Sequence, residues 1–157
     1  GMNLAATKLR GHRLTVDPDL DVIETSAIVY TSEKNGAIVA GGGSPKNFYL
    51  QTQPTLSQIF KLDRGGQDYF IQITTDAPHW GGLSGATPQE AVSWGKIHPG
   101  ELSKHVVVYS DSTIALPLLF SYICSVREPR PRKQLYLKRE TAVNALKDAC
   151  GIASAGR

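Results

Sequence analysis

One lysine, Lys96, follows a short segment within residues 87–97 that carries signals for both a helix start and a helix end. Thr87 is a good N-cap, Pro88 suits the first helical position, and Glu90 stands where the carboxylate of a capping box reaches back. Gly95 favours termination, so Lys96 is expected to project from an ordered helix end. Burial there would disfavour the ammonium form and supply a neutral amine for imine chemistry, although a solvated lysine is the plainer interpretation.

Several other residues could bind a ligand, and each also has a purely structural interpretation. The three glycines at 41–43 can let the backbone approach a phosphate or can serve only as a turn. Asp111 can accept the hydroxyls of a ribose or cap the helix that follows it. Trp94 can present its ring to an alkylammonium group or pack the short helix. Glu90 can close its capping box, bind a substrate amine, or do both.

The elements that must position these residues alternate between strands and helices. Apolar runs predict strands over residues 36–40, 69–73 and 105–109, the last of them buried. Helices are predicted over residues 20–32, 44–59, 88–94, 116–126 and 138–149. Because helical crossovers join parallel strands, we predict a Rossmann-like three-layer α/β/α sandwich with a mainly parallel sheet. Ligands of such sheets bind beyond the carboxyl ends of the strands, where the candidate residues lie.

Size and composition predict one α/β domain. The chain has 157 residues, of which 41% are hydrophobic and 20% are charged. We divide it into an N-terminal extension (1–16), an α/β domain (17–126) and a basic linker with a C-terminal helix (127–157). The helix over 116–126 and the three strands are expected to supply the core. Gly1 before Met2 is typical of a residue left after tag removal.

The same features argue against several other classes of protein. A net charge of +3 does not indicate a nucleic-acid-binding protein, and the basic segment 127–139 is expected to be solvated. The longest apolar run, 114–126, is interrupted by Pro117 and is too short to cross a membrane. The cysteines and histidines lack metal-ligand spacing, and Cys124 is expected to be a buried free thiol. With no apolar signal-peptide core, the chain is expected to be cytoplasmic.

The run Glu-Ala-Val-Ser-Trp-Gly-Lys at residues 90–96 resembles the active-site motif of deoxyhypusine synthase, in which the lysine is the covalent nucleophile. The similarity continues in the same order over roughly residues 17–126. It is carried by residues 22–29, 36–46, 66–69, 84–88, 108–111 and 117–119. The resemblance implies Rossmann-like subunits that form homo-oligomers, dimers or tetramers, and bind NAD. It also implies a polyamine substrate such as spermidine, whose aminobutyl group passes to the lysine as an imine and then to an acceptor amine.

The resemblance assigns a role to individual positions, and it puts Lys96 in the place of the nucleophile. Near the polyamine it places Asn47, Gly81, Glu90 and Trp94. At the nicotinamide cofactor it places Gly42, Thr75, Ser84, Asp111 and Ser112. It implies no metal.

Two departures from the family pattern bear on the substrate. Asn47 replaces a histidine and cannot shuttle a proton as an imidazole can. Trp80 and Leu83 replace two aspartates, so the usual triamine should bind less tightly and a smaller or less charged amine is expected. In this respect the chain is similar to homospermidine synthases and to bacterial deoxyhypusine synthase-like proteins.

The third departure is length, because family members carry a long N-terminal half that this chain lacks. We therefore expect a truncated form that folds and self-associates through exposed apolar surface, yet binds NAD weakly and is inactive alone. The alternative is a non-catalytic assembly or regulatory module that keeps the fold without the chemistry.

Overall fold

The computed structural model describes residues 1–96, 100 and 104–152. Ile97 and residues 153–157, which the sequence analysis assigned to the lysine-bearing stretch and the C-terminal segment, lie outside the described residues. In the described part, the helices are α1 (Met2–Leu9), α2 (Pro18–Thr31), α3 (Ser44–Leu50), α4 (Thr52–Pro54), α5 (Pro88–Ser93), α6 (Ser112–Val126) and α7 (Arg139–Ala149). The strands are β1 (Gly36–Ala40), β2 (Tyr69–Thr74) and β3 (His105–Tyr109). A π-helical turn (Thr55–Ile59) continues α4, and 3-10 turns lie at Pro78–Trp80, Leu83–Gly85 and Leu135–Lys138.

The three described strands form one parallel sheet in the order β1-β2-β3. Ile71 at the centre of β2 lies between Ile38 of β1 and Val106 of β3. Helices lie on both sides of the sheet, so the predicted Rossmann-like α/β architecture is confirmed. Parallel strands end at the same edge, and this brings the loops after β1, β2 and β3 together.

The apolar helix α6 begins earlier than predicted. The side chain of Asp111 accepts a hydrogen bond from the backbone N–H of Thr113 at 2.8 Å and so caps a helix that starts at Ser112 rather than at residue 116. Pro117 consequently lies inside the helix, which continues to Val126. The capping interpretation of Asp111 is therefore confirmed.

The hydrophobic core lies between α2, α7 and the π-helical turn rather than around α6. An ion pair between Glu24 and Arg139, at 3.1 Å, joins α2 to α7 at the edge of this core. The buried apolar side chains of the cluster are Ala27, Val29, Leu56, Ala142 and Leu146. A second set, Phe70 and Ile73, is buried within the central strand.

Three predictions of burial are wrong. No residue of α6 is buried, and Cys124 on that helix is exposed. Strand β3 is also largely open, with Val106 at 48% and Val108 at 38% exposure. Both segments are exposed because few elements of the described part pack against them. Strand β3 pairs with only one strand there, and α6 contacts little beyond β2. The result is an exposed apolar surface on this side, as expected.

Within the described residues, no helix combines the length and the apolar character needed to cross a membrane.

Candidate active site at the carboxyl end of the sheet

Lys96 lies in the wall of a cavity of about 520 Å³. Its backbone N–H donates to the carbonyl of Ala91 at 2.9 Å, and its own carbonyl accepts from the N–H of Gln67 at 3.2 Å. Gly95 before it has a left-handed φ of 67°, which ends α5 as predicted. The lysine is therefore held on both sides by its backbone. The cavity has the size of small-molecule sites, which span about 300–1,000 Å³.

The side-chain amine of Lys96 has a defined partner. Its Nζ donates to Oδ1 of Asn47 at 2.7 Å, and it lies 6.0 Å from the centroid of the Trp94 ring. An amide oxygen accepts a hydrogen bond without the charge attraction that a carboxylate would add. Asn47 thus orients the amine of Lys96 inside the cavity.

All five residues assigned to the nucleophile and the polyamine line this cavity together. They are Lys96, Asn47, Gly81, Glu90 and Trp94. Of the two loop residues that replace family aspartates, Leu83 lines the cavity, whereas Trp80 is 71% exposed and packs on His79 at 4.5 Å between ring centroids. Only Leu83 therefore lies where it can change the chemistry of the cavity wall.

The cavity is lined by two lysines and one carboxylate in the described part of the chain. They are Lys46, Lys96 and Glu90. Glu90 also closes the predicted capping box, because its Oε2 accepts from the N–H of Thr87 at 3.2 Å and its own N–H donates to Oγ1 of Thr87 at 3.3 Å. The single carboxylate therefore has a structural partner and still faces the cavity.

Sequence reasoning missed Lys46, a buried lysine of α3 in the same cavity wall. Its Nζ donates to Oε1 of Gln72 at 2.9 Å, to the carbonyl of Leu83 at 3.2 Å and to that of Ala86 at 2.7 Å. Burial lowers the pKa of Lys46, the charge of Glu90 opposes this shift, and the charge of Lys96 adds to it. All three N–H groups are engaged, so Lys46 is bound as an anchor.

Gln72, at the centre of β2, was also missed. Its Nε2 donates to the carbonyls of Gly41 at 2.7 Å and Ser84 at 2.6 Å, while its Oε1 accepts from Lys46. Two sequence signals could have identified the pair. Lys46 precedes the buried Leu50 by one helical turn, and Gln72 interrupts an otherwise apolar strand.

A second, more polar depression of about 400 Å³ lies where the strands end, and we call it the strand-end cleft. Four of the five residues assigned to the cofactor line it: Thr75, Ser84, Asp111 and Ser112. Asp111 is fully exposed, and its Oδ1 accepts from both the hydroxyl and the N–H of Thr113. The hydroxyl hydrogen bond from Thr113, followed by the backbone one, lowers the pKa of Asp111.

The fifth residue, Gly42, lies apart from the strand-end cleft, which is lined by Gly41 instead. A Cβ on Gly42 would come within 2.7 Å of the Cα of Ser84. The absence of a side chain therefore lets the glycine turn pack against the segment that carries Ser84. Among the described residues, no group of three or more His, Cys, Asp and Glu side chains could hold a metal ion.

Comparison with known proteins agrees with this geometry. The family model described as deoxyhypusine synthase matches residues 1–123. A deoxyhypusine synthase-like protein of Nostoc punctiforme is 53% identical over 150 residues, which cover 93% of this chain and 38% of that protein. A protein of the same name from Thermosynechococcus vestitus is 52% identical over 153 residues, covering 93% of this chain and 38% of the relative.

The similarity also reaches archaeal proteins. A Methanosarcina acetivorans protein named "Probable deoxyhypusine synthase 2" is 50% identical over 119 residues, covering 76% of this chain and 34% of its own length. The chain thus spans little more than a third of the length of the curated relatives it matches. With a family match over most of its residues and these identities, the chain belongs to the deoxyhypusine synthase family.

Proposed function

We propose that this chain carries the amine-binding and imine-forming site of an aminobutyl transferase that uses a polyamine and NAD. One observation carries the proposal. The Nζ of Lys96 lies in a cavity of ligand size, fixed by Asn47 at 2.7 Å, with Glu90 and Trp94 in the same wall. A nucleophile, an orienting group, a carboxylate and an aromatic ring are the parts that imine transfer from a cationic amine requires.

In the proposed reaction, the carbon next to the donor's secondary amine would lose a hydride to NAD and form a C=N bond with that nitrogen, and the neutral amine of Lys96 would attack this carbon. A C–N bond to Lys96 forms, the donor's C–N bond breaks, and diaminopropane leaves with a proton. The aminobutyl group is then held as an imine on Lys96. Asn47 keeps the lysine amine directed into the cavity, because it accepts one N–H and leaves the lone pair free to react. An acceptor amine would displace Lys96 by the same exchange.

The charges of the cavity wall favour a donor or acceptor with few positive charges. Among the described residues that line this cavity, Glu90 is the one carboxylate, and Leu83 adds an apolar side chain. A triamine would bring three ammonium groups to a wall with one anionic partner. We therefore propose that the preferred amine is smaller or less charged than spermidine. Glu90 would hold its terminal ammonium group, and Trp94 would cover its alkyl chain.

The strand-end cleft is the proposed cofactor site. Its hydroxyl groups and the Asp111 carboxylate suit the hydroxyls and amide of a nicotinamide nucleotide, and Gly41 allows close approach of the backbone. NAD held by Thr75, Ser84, Asp111 and Ser112 would supply the hydride acceptor for oxidation of the amine. Gly42 would contribute indirectly, because it lets the glycine turn pack against Ser84. We also propose that the chain acts as a dimer or tetramer.

Borohydride trapping tests the proposal. A protein that joins this chain to the N-terminal half typical of the family is incubated with a polyamine and NAD, because the chain alone is expected to bind NAD weakly and to be inactive. Reduction should leave an aminobutyl group on the peptide that contains Trp94 and Lys96. The variant Lys96→Arg should lose the adduct, because a guanidinium stays protonated. Omitting NAD is the matched control and should also abolish it.

Two outcomes would count against the transferase. An adduct that forms equally without NAD would show chemistry other than oxidation of the amine by NAD. No adduct at any amine concentration, in a folded chain with NAD bound, would favour the non-catalytic module.

A further inference from the structure

The two cavities share one wall, the segment 83–86, which we call the dividing segment. Leu83 and Ala86 line the amine cavity, whereas Ser84 lines the strand-end cleft. Gly85 is buried, and a Cβ placed on it would come within 2.5 Å of the carbonyl oxygen of Ala77. Because reacting atoms must be in contact, a bound amine and a bound nucleotide would have to meet at the edge of this segment, and its position would decide whether they can.

The dividing segment lacks regular secondary structure beyond one short 3-10 turn, so other groups must fix its position. Its carbonyls at Leu83 and Ala86 accept from the Nζ of Lys46, at 3.2 Å and 2.7 Å. The carbonyl of Ser84 accepts from the Nε2 of Gln72 at 2.6 Å. Three of its four carbonyls are thus held by two buried side chains.

Lys46 and Gln72 also bind each other and the glycine turn. Oε1 of Gln72 accepts from Nζ of Lys46 at 2.9 Å, and Nε2 of Gln72 donates to the carbonyl of Gly41 at 2.7 Å. All N–H groups of both side chains are used by these contacts, and Oε1 of Gln72 accepts one hydrogen bond. The pair thereby links β2, α3, the glycine turn and the dividing segment. Breaking one contact leaves buried polar groups without partners, so the network should respond as a unit.

We propose that Lys46 and Gln72 are positioning residues that fix the dividing segment between the amine cavity and the strand-end cleft. Lys46 is then an anchor with a structural charge, distinct in role from Lys96, although both amines face the same cavity. That this positioning aids catalysis rests on the proposed function, whereas the positioning itself does not depend on that function. A chain without transferase activity would still need the pair to fix the wall that the two cavities share.

Hydrogen exchange of residues 76–86 tests the positioning in the intact chain. Lys46→Ala and Gln72→Leu should each speed exchange in this region by about tenfold or more, since each loses charge-assisted or buried hydrogen bonds. Exchange in α2 and α7 should not change. Lys34→Ala removes an exposed lysine and is the matched control. Unchanged exchange of residues 76–86 in the folded variants would overturn the proposal.

Chemical rescue with small ammonium ions tests whether Lys46 acts through its N–H groups or only through its volume and charge. n-Propylammonium supplies the atoms that Lys46→Ala removes, whereas tetramethylammonium carries the charge without an N–H donor. The first should restore slow exchange in Lys46→Ala and leave the wild-type chain unaffected, and the second should not. Equal effects of the two ions would contradict the anchor role.

A wild-type measurement decides the question if neither variant folds. Ammonium protons held by three acceptors exchange slowly with water, so Lys46 should give a persistent lysine ammonium signal in a proton–nitrogen NMR spectrum. The absence of any protected lysine signal would overturn the proposal.

A functional readout is separate, because Gln72→Leu should lower the yield of an imine trapped on Lys96 without moving the label to another lysine. If the transferase proposal fails, that yield is zero in the wild type while the exchange result still stands.

Discussion

The amine cavity and the strand-end cleft lie on either side of the same segment, yet they differ in how completely the chain builds them. Walls from α3, α5 and the loop after β2 surround the amine cavity, and Lys96 and Asn47 are paired inside it. The strand-end cleft is lined by residues at the ends of the three strands and by Ser84, and Asp111 in its lining is fully exposed. In the function proposed above, the described residues would therefore supply the amine site and only part of a dinucleotide site.

The largest expected difference between the two cavities is in ligand affinity. NAD should show no saturable binding in the micromolar range, because the polar groups of the open cleft remain in contact with water. The exposed apolar side chains of β3 and α6 should also cause self-association, so light scattering should give a mass above 17.0 kDa. Calorimetric titration with NAD is the measurement, and a monomer that binds NAD at micromolar concentration would contradict the comparison.

Gly85→Ala should disturb both cavities, because the added Cβ would meet the carbonyl of Ala77 at 2.5 Å. Overpacking of this kind costs about 1–3 kcal/mol of unfolding free energy. Gly82→Ala is a close control, since its Cβ would lie at an ordinary 3.4 Å from Asp76 and its φ is −79°. Denaturant unfolding should separate the two variants. Equal stabilities would mean that the dividing segment moves freely enough to absorb a methyl group.

Leu83→Asp should change only the amine cavity. The new carboxylate would face a bound polyamine and should tighten spermidine binding about threefold to tenfold, less than a buried charge pair would, because Leu83 is 51% exposed. Trp80→Asp is the matched control, and it should have little effect because Trp80 does not line the cavity. Equal effects of the two substitutions on a calorimetric titration with spermidine would indicate that Trp80 approaches the amine as closely as Leu83 does.

The sequence predicted most of the fold because its signals were local. The strand over 36–40, the capping box of Thr87 and Glu90, and the end of α5 at Gly95 each depend on neighbouring residues. The side chains predicted around the amine also lie together, because they belong to one motif or to loops at the same edge of a parallel sheet. Burial of Cys124 and β3 was predicted wrongly, because it depends on what packs against an apolar segment and not on the segment itself.

Lys46 and Gln72 show a different limit of prediction. Gln72 is a polar residue within a mostly apolar strand, and a lysine such as Lys46 is most often solvated. Their partners are carbonyls of a loop that lies 37 to 40 residues beyond Lys46 in the chain. Such carbonyls carry no side-chain signal, so the network becomes visible only in three dimensions.

The central claim is that Lys96 is the imine-forming lysine and Lys46 is not. Reductive trapping with 4-(trimethylammonio)butanal tests it directly, because this aldehyde cannot cyclise on its own nitrogen, carries the charge and four-carbon chain of the aminobutyl group, and forms a lysine imine without NAD by releasing only water. Cyanoborohydride should place the label on Lys96, with Lys46 unmodified because its three N–H groups are engaged. Lys96→Arg should lose the label. Preferential labelling of Lys46, or labelling spread evenly over the exposed lysines, would contradict the account.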